Sequence, residues 1–298
     1  MLCECLAQQR GTSRGLPATH RRVRALWQPF PMSRKRSLLP VIARHGDLVV
    51  ERDPRRASGR LLRDDGMDSS YVDLADPMHL EFDYLRWLRI VLRATRARRI
   101  VHVGGGACAL ARALASEDPG GRQEVCEVDA EVIALARAHL GLRRRPGLHV
   151  RHADGRAFIT AQPDRSWDAL VIDAFIAASV PHHLVTVEAL TDAARVAPLL
   201  LVNVIDDRSA RGVRAVAASV SAAFPYVWAL GARPGNTIVV GQTAPPSLDR
   251  IAALAAADPS PARLTTWARA DPAPKRMGKS AERIVSHYAN YMDWPRGP

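Results

Sequence analysis

The residues that could carry out chemistry follow four short apolar segments of the sequence. Glycine at such a position lets the backbone approach a ligand closely, and a carboxylate there can accept hydrogen bonds or a proton. If the four segments are parallel strands, these residues meet at one edge of a sheet, where ligands bind in doubly wound folds. They are Gly104, Gly105 and Gly106 after residues 100–103, Glu127 and Asp129 at the end of 124–128, Asp154 and Gly155 after 148–151, and Asp173 after 167–172.

The glycines and Glu127 together predict a nucleoside-binding site. Glu127 lies 21 residues past Gly106, the spacing at which an acidic side chain reaches ribose hydroxyls. Asp129 fits better as the N-cap of the next helix. Asp154 can accept a hydrogen bond from an adenine amino group, with Gly155 leaving room for the ring, or it can cap the helix that follows. Asp154 alone does not favour one of these two roles over the other.

Asp173 is the candidate catalytic residue. In the predicted topology its strand is central, so the carboxylate lies in the middle of the cleft. There it can face a sulfonium cation or accept a proton from an attacking amine. The alternative is a strand-end acid that takes no part in chemistry.

Repeated strand–helix units must position these residues. A run of strands that alternates with helices predicts a parallel sheet covered on both faces. A hairpin containing Pro234 and Gly235 follows, and an open parallel sheet that ends in a hairpin is the layout of a class I methyltransferase-like Rossmann fold of the α/β class. The predicted strands are 100–103, 124–128, 148–151, 167–172, 199–205, 226–230 and 237–240, and the predicted helices are 109–115, 130–140, 155–161, 187–196 and 213–223.

The sequence divides into four regions. Residues 1–40 form a basic arm with eight Lys or Arg and one acid, which we expect to be disordered; contact with nucleic acid or an anionic membrane is the alternative. A small β module over 41–75 contains strands 48–51, 60–63 and 70–74. The Rossmann-like domain over 76–243 begins with a helix opened by Asp76 and Pro77. An Ala- and Pro-rich tail with short helices follows over 244–298.

Four arginines on the first predicted helix, at spacings of three and four, could contact phosphates or form a solvated face. They are Arg86, Arg89, Arg93 and Arg96.

Composition excludes several classes of protein. Hydrophobic residues make up 47% of the 298 residues and charged residues 24%, which excludes wholesale disorder. No apolar run approaches the roughly 18 residues of a membrane span. The four cysteines are too few and too scattered for a disulfide framework, and no zinc or other metal site is expected.

Taken together, the segments resemble the spermidine synthase family of aminopropyltransferases over residues 45–241. The resemblance implies a small β module, a Rossmann domain and decarboxylated S-adenosylmethionine as donor. It also implies a cytoplasmic enzyme of polyamine biosynthesis in which Glu127 holds the ribose, Asp154 holds the adenine and Asp173 is the base. The segments that carry it are IVHVGGGACALAR (100–112), EVCEVDAEVIALAR (124–137), HADGRAFI (152–159) and WDALVIDAF (167–175), supported by VPHHLVTVEAL (180–190) and LLRDDGMDSSY (61–71).

The chain departs from that family on the acceptor side. The family's glycine loop contains an Asp that contacts the donor's aminopropyl ammonium, and Ala107 stands there, followed by Cys108. The family's catalytic loop, Asp-Ser-Ser/Thr-Asp-Pro, is replaced by Asp-Ala-Phe-Ile-Ala over 173–177, and the family's Tyr-Gln pair is not evident in 80–84. A desolvated ammonium without a partner costs several kcal/mol, so a free polyamine is not the expected acceptor.

Three functions remain open on these residues. The first is an aminopropyltransferase, and the second is a methyltransferase that uses intact S-adenosylmethionine; both displace a group from a carbon bonded to a sulfonium. The third is a nucleoside-binding protein without catalysis. The expected partner is a small-molecule amine, with a homodimer left open as the assembly. No membrane partner is expected, and the 5% aromatic content does not favour base stacking on nucleic acid.

Removal of the basic arm should leave the folded body intact. Because its charges repel one another and it has no apolar periodicity, a chain that begins at Leu38 should melt within a few degrees of the full-length protein. Thermal melting followed by circular dichroism measures this. A collapse in expression or in melting temperature would show that the arm packs against the body.

Overall fold

The computed structural model of the chain describes residues 39–176, 178–206, 209–231, 234–260 and 262–266. Nearly all of the predicted basic arm and the last part of the predicted tail lie outside these ranges. Within the ranges the chain forms two β-sheets and seven α-helices. None of these helices is both long and apolar enough to cross a lipid bilayer.

The smaller sheet is an antiparallel meander of four strands. They are β1 (Val41–His45), β2 (Leu48–Arg52), β3 (Gly59–Asp64) and β4 (Met67–Asp73), paired in that order. Asp65 and Gly66 join β3 to β4 with φ angles of 45° and 77°, as a type I′ turn requires. The predicted three strands of the β module are present. β1 is an additional strand that was not predicted, because four of its five side chains are exposed and give no apolar alternation.

The larger sheet has eight strands, five of them parallel. They are β5 (Arg99–Val103), β6 (Arg122–Glu127), β7 (Leu148–His152), β8 (Ala169–Ile172), β9 (Leu199–Asp206), β10 (Tyr226–Gly231), β11 (Gly235–Gln242) and β12 (Arg263–Thr266). Their order is β12-β10-β11-β9-β8-β5-β6-β7, with β5 to β9 parallel and the other three strands antiparallel. This topology confirms the predicted class I methyltransferase-like Rossmann fold. Its switch point, where ligands bind in such sheets, lies between β5 and β8.

Helices cover both faces of the larger sheet. They are α1 (Asp83–Thr95), α2 (Ala109–Glu117), α3 (Ala130–His139), α4 (Gly155–Thr160), α5 (Val187–Val196), α6 (Arg211–Ala223) and α7 (Leu248–Ala257). Ile100 of β5 packs in the core layer that holds α1, α2, α3 and α7, whereas Val101 packs in the layer that holds α4, α5 and α6. Side chains alternate across a strand, so one apolar run serves both layers.

The predicted start of the first helix was wrong. Asp76 and Pro77 form a turn in which the His79 N–H donates to the Asp76 carbonyl at 3.2 Å, and the Met78 N–H donates to Asp76 Oδ1 at 2.9 Å. Proline is equally suited to the second position of a turn and to the first turn of a helix. The helix itself begins at Asp83.

The arginines of α1 are engaged in ion pairs inside the protein. Arg86 Nε lies 3.2 Å from Asp258 Oδ1 at the end of α7. Arg89 Nη1 and Arg93 Nε lie 3.3 and 3.5 Å from the carboxylate of Glu117 on α2. Three of the four arginines therefore link α1 to neighbouring helices. This role differs from both predictions, phosphate contact and a solvated face.

The ends of the folded body differ from the predicted boundaries. Leu39, assigned to the arm, is buried against Leu61 and Tyr71 of the smaller sheet. In the tail, α7 confirms a short helix, and β12 adds an edge strand that pairs with β10. A four-residue edge strand has too few positions for a periodicity that prediction could use.

Replacement of Gly241 with alanine should lower stability, because this glycine lets α6 pack on β11. A Cβ there would lie 2.6 Å from Val220 Cγ1 and 2.7 Å from the Phe224 ring. Overpacking of this kind costs about 1–3 kcal/mol, which lowers the melting temperature of a domain this size by roughly 3–10 °C.

Gly120→Ala is the matched control. Its Cβ would meet first the mobile end of the Arg98 side chain, at 2.8 Å. We expect its melting temperature to stay within about 2 °C of the wild type, well above that of Gly241→Ala. Equal melting temperatures for the two variants would contradict the packing account.

Candidate active site

The glycine loop after β5 brings the ends of two strands together. Gly104 has a φ of 89°, and a Cβ on it would overlap the backbone oxygen of Asp173 at the end of β8. The Asp173 N–H also donates to the Val103 carbonyl at 2.9 Å. A larger residue at 104 would push Asp173 away, so the glycine is required by this close approach.

Glu127 holds the glycine loop through the backbone. Its Oε2 accepts from the N–H groups of Gly105 and Gly106 at 2.8 and 3.1 Å, and its Oε1 accepts from the Asp129 N–H at 3.0 Å. The residue is only 9% exposed. A carboxylate offers about four acceptor positions, and three are occupied. The predicted contact with ribose stays a prediction, and one acceptor position is free for it in this arrangement.

Two other predicted acids cap helices. Asp129 Oδ1 accepts from the N–H of Glu131 at 2.8 Å, which confirms its predicted role as the N-cap of α3. Asp154 Oδ1 accepts from the N–H of Ala157 at 2.7 Å and caps α4. The other oxygen, Oδ2, lies 3.5 Å from His183 Nε2, and both side chains are about half exposed. Asp154 Oδ2 is therefore the oxygen that the helix cap leaves for a ligand.

Gly155 has a packing role. A Cβ there would overlap Val103, which closes α4 onto β5. The predicted space beside an adenine ring stays a prediction.

Asp173 lies among polar side chains from two other elements. Its Oδ1 accepts a hydrogen bond from Asn203 Nδ2 at 2.8 Å, and the Tyr84 hydroxyl on α1 also bonds to the carboxylate. Burial raises the pKa of Asp173 above its ordinary value, and the bonds from Asn203 and Tyr84 oppose that rise. Burial and the negative Asp173 raise the pKa of Tyr84, so the phenol stays protonated and donates.

The structure adds three residues that the sequence analysis did not select. Asn203 is completely buried in β9, and its Oδ1 accepts from Asn236 Nδ2 of β11 at 3.1 Å. One polar residue inside a buried apolar strand is a usable signal, because such a group needs partners. Tyr84, the third of these residues, lies on α1. The sequence does not indicate which residue the hydroxyl of Tyr84 contacts.

The smaller sheet supports the glycine loop from the other side. Ser70 of β4 accepts a hydrogen bond from the Ala107 N–H at 3.1 Å, and both residues are buried. The side chain of Ala107 is a methyl group and brings no charge to the loop. Burial raises the pKa of the neighbouring Cys108 thiol to about 12, so that residue also brings no charge to the loop.

The segment after Asp173 is apolar. Ala174 is packed beside the core, Phe175 is partly buried, and Ile176 is 52% exposed. The next residue, Ala177, lies outside the described residues. Within the described residues, no three His, Cys, Asp or Glu side chains come together in a group that could hold a metal ion.

The comparisons with known proteins found solved structures that are similar to this one. No protein-family model matches the sequence, and no curated protein matches it. The structure of a probable spermidine synthase from Corynebacterium glutamicum is similar with a TM-score of 0.69 and 25% identity, over 88% of this chain and 98% of that chain.

Two further spermidine synthase structures share the fold. The enzyme from Thermotoga maritima gives a TM-score of 0.57 at 18% identity, over 71% of this chain and 75% of that chain. A spermidine synthase in complex with the transition-state analogue AdoDATO gives the same TM-score and identity, over 71% and 76%. The resemblance predicted from the sequence segments is thus confirmed at the level of structure: the chain is similar in structure to spermidine synthases.

Proposed function

We propose that the protein is a transferase that binds an S-adenosyl donor and moves an aminopropyl group to an amine acceptor. The observation that carries this proposal is the position of Asp173. Its carboxylate lies at the switch point of the sheet, beside the glycine loop and with a raised pKa. Perturbed carboxylates at such positions are typical of functional sites. In this proposal Glu127 and Asp154 bind the nucleoside, and no metal takes part.

The proposed reaction needs a base. An alkyl ammonium has a pKa near 10.4, so the acceptor is mostly protonated at pH 7 and cannot attack. Asp173 accepts that proton, and the amine nitrogen then forms a bond to the carbon attached to the sulfonium. The carbon–sulfur bond breaks, its electron pair goes to sulfur, and a neutral thioether nucleoside leaves. General base catalysis of this kind contributes roughly 10²–10⁴ in rate.

The surroundings of Asp173 favour an acceptor with a single amine. The side chains that bond to it directly, Tyr84 and Asn203, are neutral, and the segment that follows it is apolar through Ile176. A second ammonium of a polyamine would have to lose water beside these groups, at a cost of several kcal/mol. We therefore propose an acceptor with one amine and an apolar body.

A methyltransferase is the second candidate, and the glycine loop favours it. Ala107 is fully buried and gives no carboxylate to the aminopropyl ammonium of a decarboxylated donor. The helix that follows, α2, begins without a side-chain cap and without an acid in its first turn. The partial positive charge of such an N-terminus suits the carboxylate of intact S-adenosylmethionine.

Calorimetry decides between these donors. S-adenosylmethionine, its decarboxylated form and methylthioadenosine are titrated in parallel into the full-length protein. The aminopropyl proposal expects tighter binding of the decarboxylated donor than of the intact one, and the reverse preference supports the methyltransferase. If none of the three binds, the proposed function is wrong.

Glu127→Gln should weaken nucleoside binding more than Asp129→Asn does. Glutamine keeps one acceptor oxygen but loses the charge, and its NH₂ group must face either the N–H donors of the glycine loop or the N–H of Asp129. Hydrogen bonds to a charged group are worth about 1.5–3 kcal/mol, or about 10- to 150-fold in dissociation constant. Asparagine remains a good N-cap, so Asp129→Asn is the control. Equal losses in the same calorimetric titration would contradict the assignment.

Asp173→Asn should keep donor affinity and lose turnover. Asparagine preserves size and hydrogen bonding but is a very poor base, so kcat should fall by about 10²–10⁴ while the donor dissociation constant changes little. Donor calorimetry and an assay of released nucleoside measure the two quantities separately. Full turnover would make Asp173 structural, and loss of donor binding would mean that it supports the sulfonium instead.

A further inference from the structure

Two asparagine amides form a hydrogen-bonded chain that ends on Asp173. Asn236 Nδ2 donates to Asn203 Oδ1 at 3.1 Å, and Asn203 Nδ2 donates to Asp173 Oδ1 at 2.8 Å. Asn203 has no exposed surface, so its amide depends on these two partners. The chain crosses from β8 through β9 to the start of β11, where Asn236 pairs with Ile205.

The direction of this chain depends on the charge of Asp173. An ionised carboxylate only accepts hydrogen bonds, so Asn203 turns its NH₂ group toward Asp173 and its carbonyl toward Asn236. A neutral Asp173 could donate a proton from Oδ1 only if Asn203 turned over. Two NH₂ groups would then face each other, or Asn236 would have to turn over as well. Asn236 thus disfavours a proton on Asp173 Oδ1, and the bond from Asn203 is stronger to the ionised carboxylate than to the neutral acid.

We propose that Asn203 and Asn236 are positioning residues that hold Asp173 ionised and fix the direction of its carboxylate in the cleft. The proposal rests on the proposed function only where it gives Asp173 the task of a base. Neither asparagine touches the reacting atoms in this account. Both act through Asp173 Oδ1, and they leave the rest of the carboxylate to face the acceptor.

The groups around Asp173 show why the hydrogen bond from Asn203 matters for the ionisation of Asp173. β9 contributes Asn203, α1 contributes Tyr84, and β5 contributes the backbone at Gly104. Within the described residues, Tyr84 is the one titratable side chain that shifts the Asp173 pKa. Among the described residues no cation offsets burial there, and the two donors Asn203 and Tyr84 favour the ionised form of Asp173.

The same chain connects the active site to the β10–β11 hairpin. Asn236 is the second residue of β11, directly after the turn, and β11 pairs with β9 along its whole length. A shift in β9–β11 register would move Asn236 off Asn203, since a one-residue slip turns each side chain to the other face. Correct pairing of β11 with β9 is therefore needed for the bond between Asn236 and Asn203.

The pKa of Asp173 tests the proposal directly. It is measured by ¹³C NMR titration of aspartate carboxyl carbons in the full-length protein, with the signal identified by its absence from Asp173→Asn. Loss of a hydrogen bond to the charged form raises a carboxyl pKa, so Asn203→Leu should raise it by about one to two units. Asn236→Ala should raise it by a smaller amount, and it changes a partly exposed side chain, so the test survives poor folding of Asn203→Leu.

Two further variants separate charge from packing. Asn203→Asp keeps the shape but brings a second carboxylate, so the pair should titrate with two apparent pKa values, the higher above that of the wild type. Gln123→Leu is the control: Gln123 is also buried in the larger sheet, on β6, where it bonds to His102 at 2.9 Å. Its replacement should leave the Asp173 pKa within about 0.3 unit of the wild type.

The outcomes separate this proposal from the proposed function. An Asp173 pKa unchanged within about 0.3 unit in both Asn203→Leu and Asn236→Ala would overturn the positioning role, whatever the activity. A raised pKa in a protein that transfers nothing from any donor would uphold the positioning role and overturn the proposed function. In an active protein, the acid limb of the pH–kcat profile should move up with the measured pKa, and a limb that stays in place would overturn the role in the reaction.

Discussion

Gly104 lies where three parallel strands end together, and the candidate active site depends on that meeting. Its N–H donates to the Cys126 carbonyl of β6 at 3.0 Å, and its missing side chain lets the backbone of Asp173 at the end of β8 come against it. The glycine loop and the ends of β6 and β8 are thereby held in one place. Any side chain at this position would separate Asp173 from the rest of the site.

Two carboxylates then do different work because their partners differ. Glu127 accepts hydrogen bonds from three backbone N–H groups, so its charge stabilises the conformation of the glycine loop and the start of α3. Asp173 is bonded to two side chains, Asn203 and Tyr84, and keeps acceptor positions free in a buried setting that raises its pKa.

The sequence predicts the sheet and the strand-end acids well, and the reason is local. β5 and β8 contain short apolar runs followed by glycine or a carboxylate, and Asp129 has the position of an N-cap. The contacts of Tyr84 and Asn203 with Asp173, and of Asn236 with Asn203, could not be predicted, because they join elements far apart in the chain. The contact from Asn236 follows from a β9–β11 register that no local pattern contains. Asp76-Pro77 was misassigned because a turn and a helix start favour the same two residues.

Identification of the nucleoside that leaves during turnover tests the account most directly. The protein is incubated with each donor and a set of amines that have one amino group and an apolar body, and the products are analysed by mass spectrometry. The account predicts methylthioadenosine from the decarboxylated donor, in equal amount with an aminopropylated amine. S-adenosylhomocysteine from the intact donor would select methyl transfer instead. Donor that binds but is never converted, with any amine, would contradict a transferase built around Asp173.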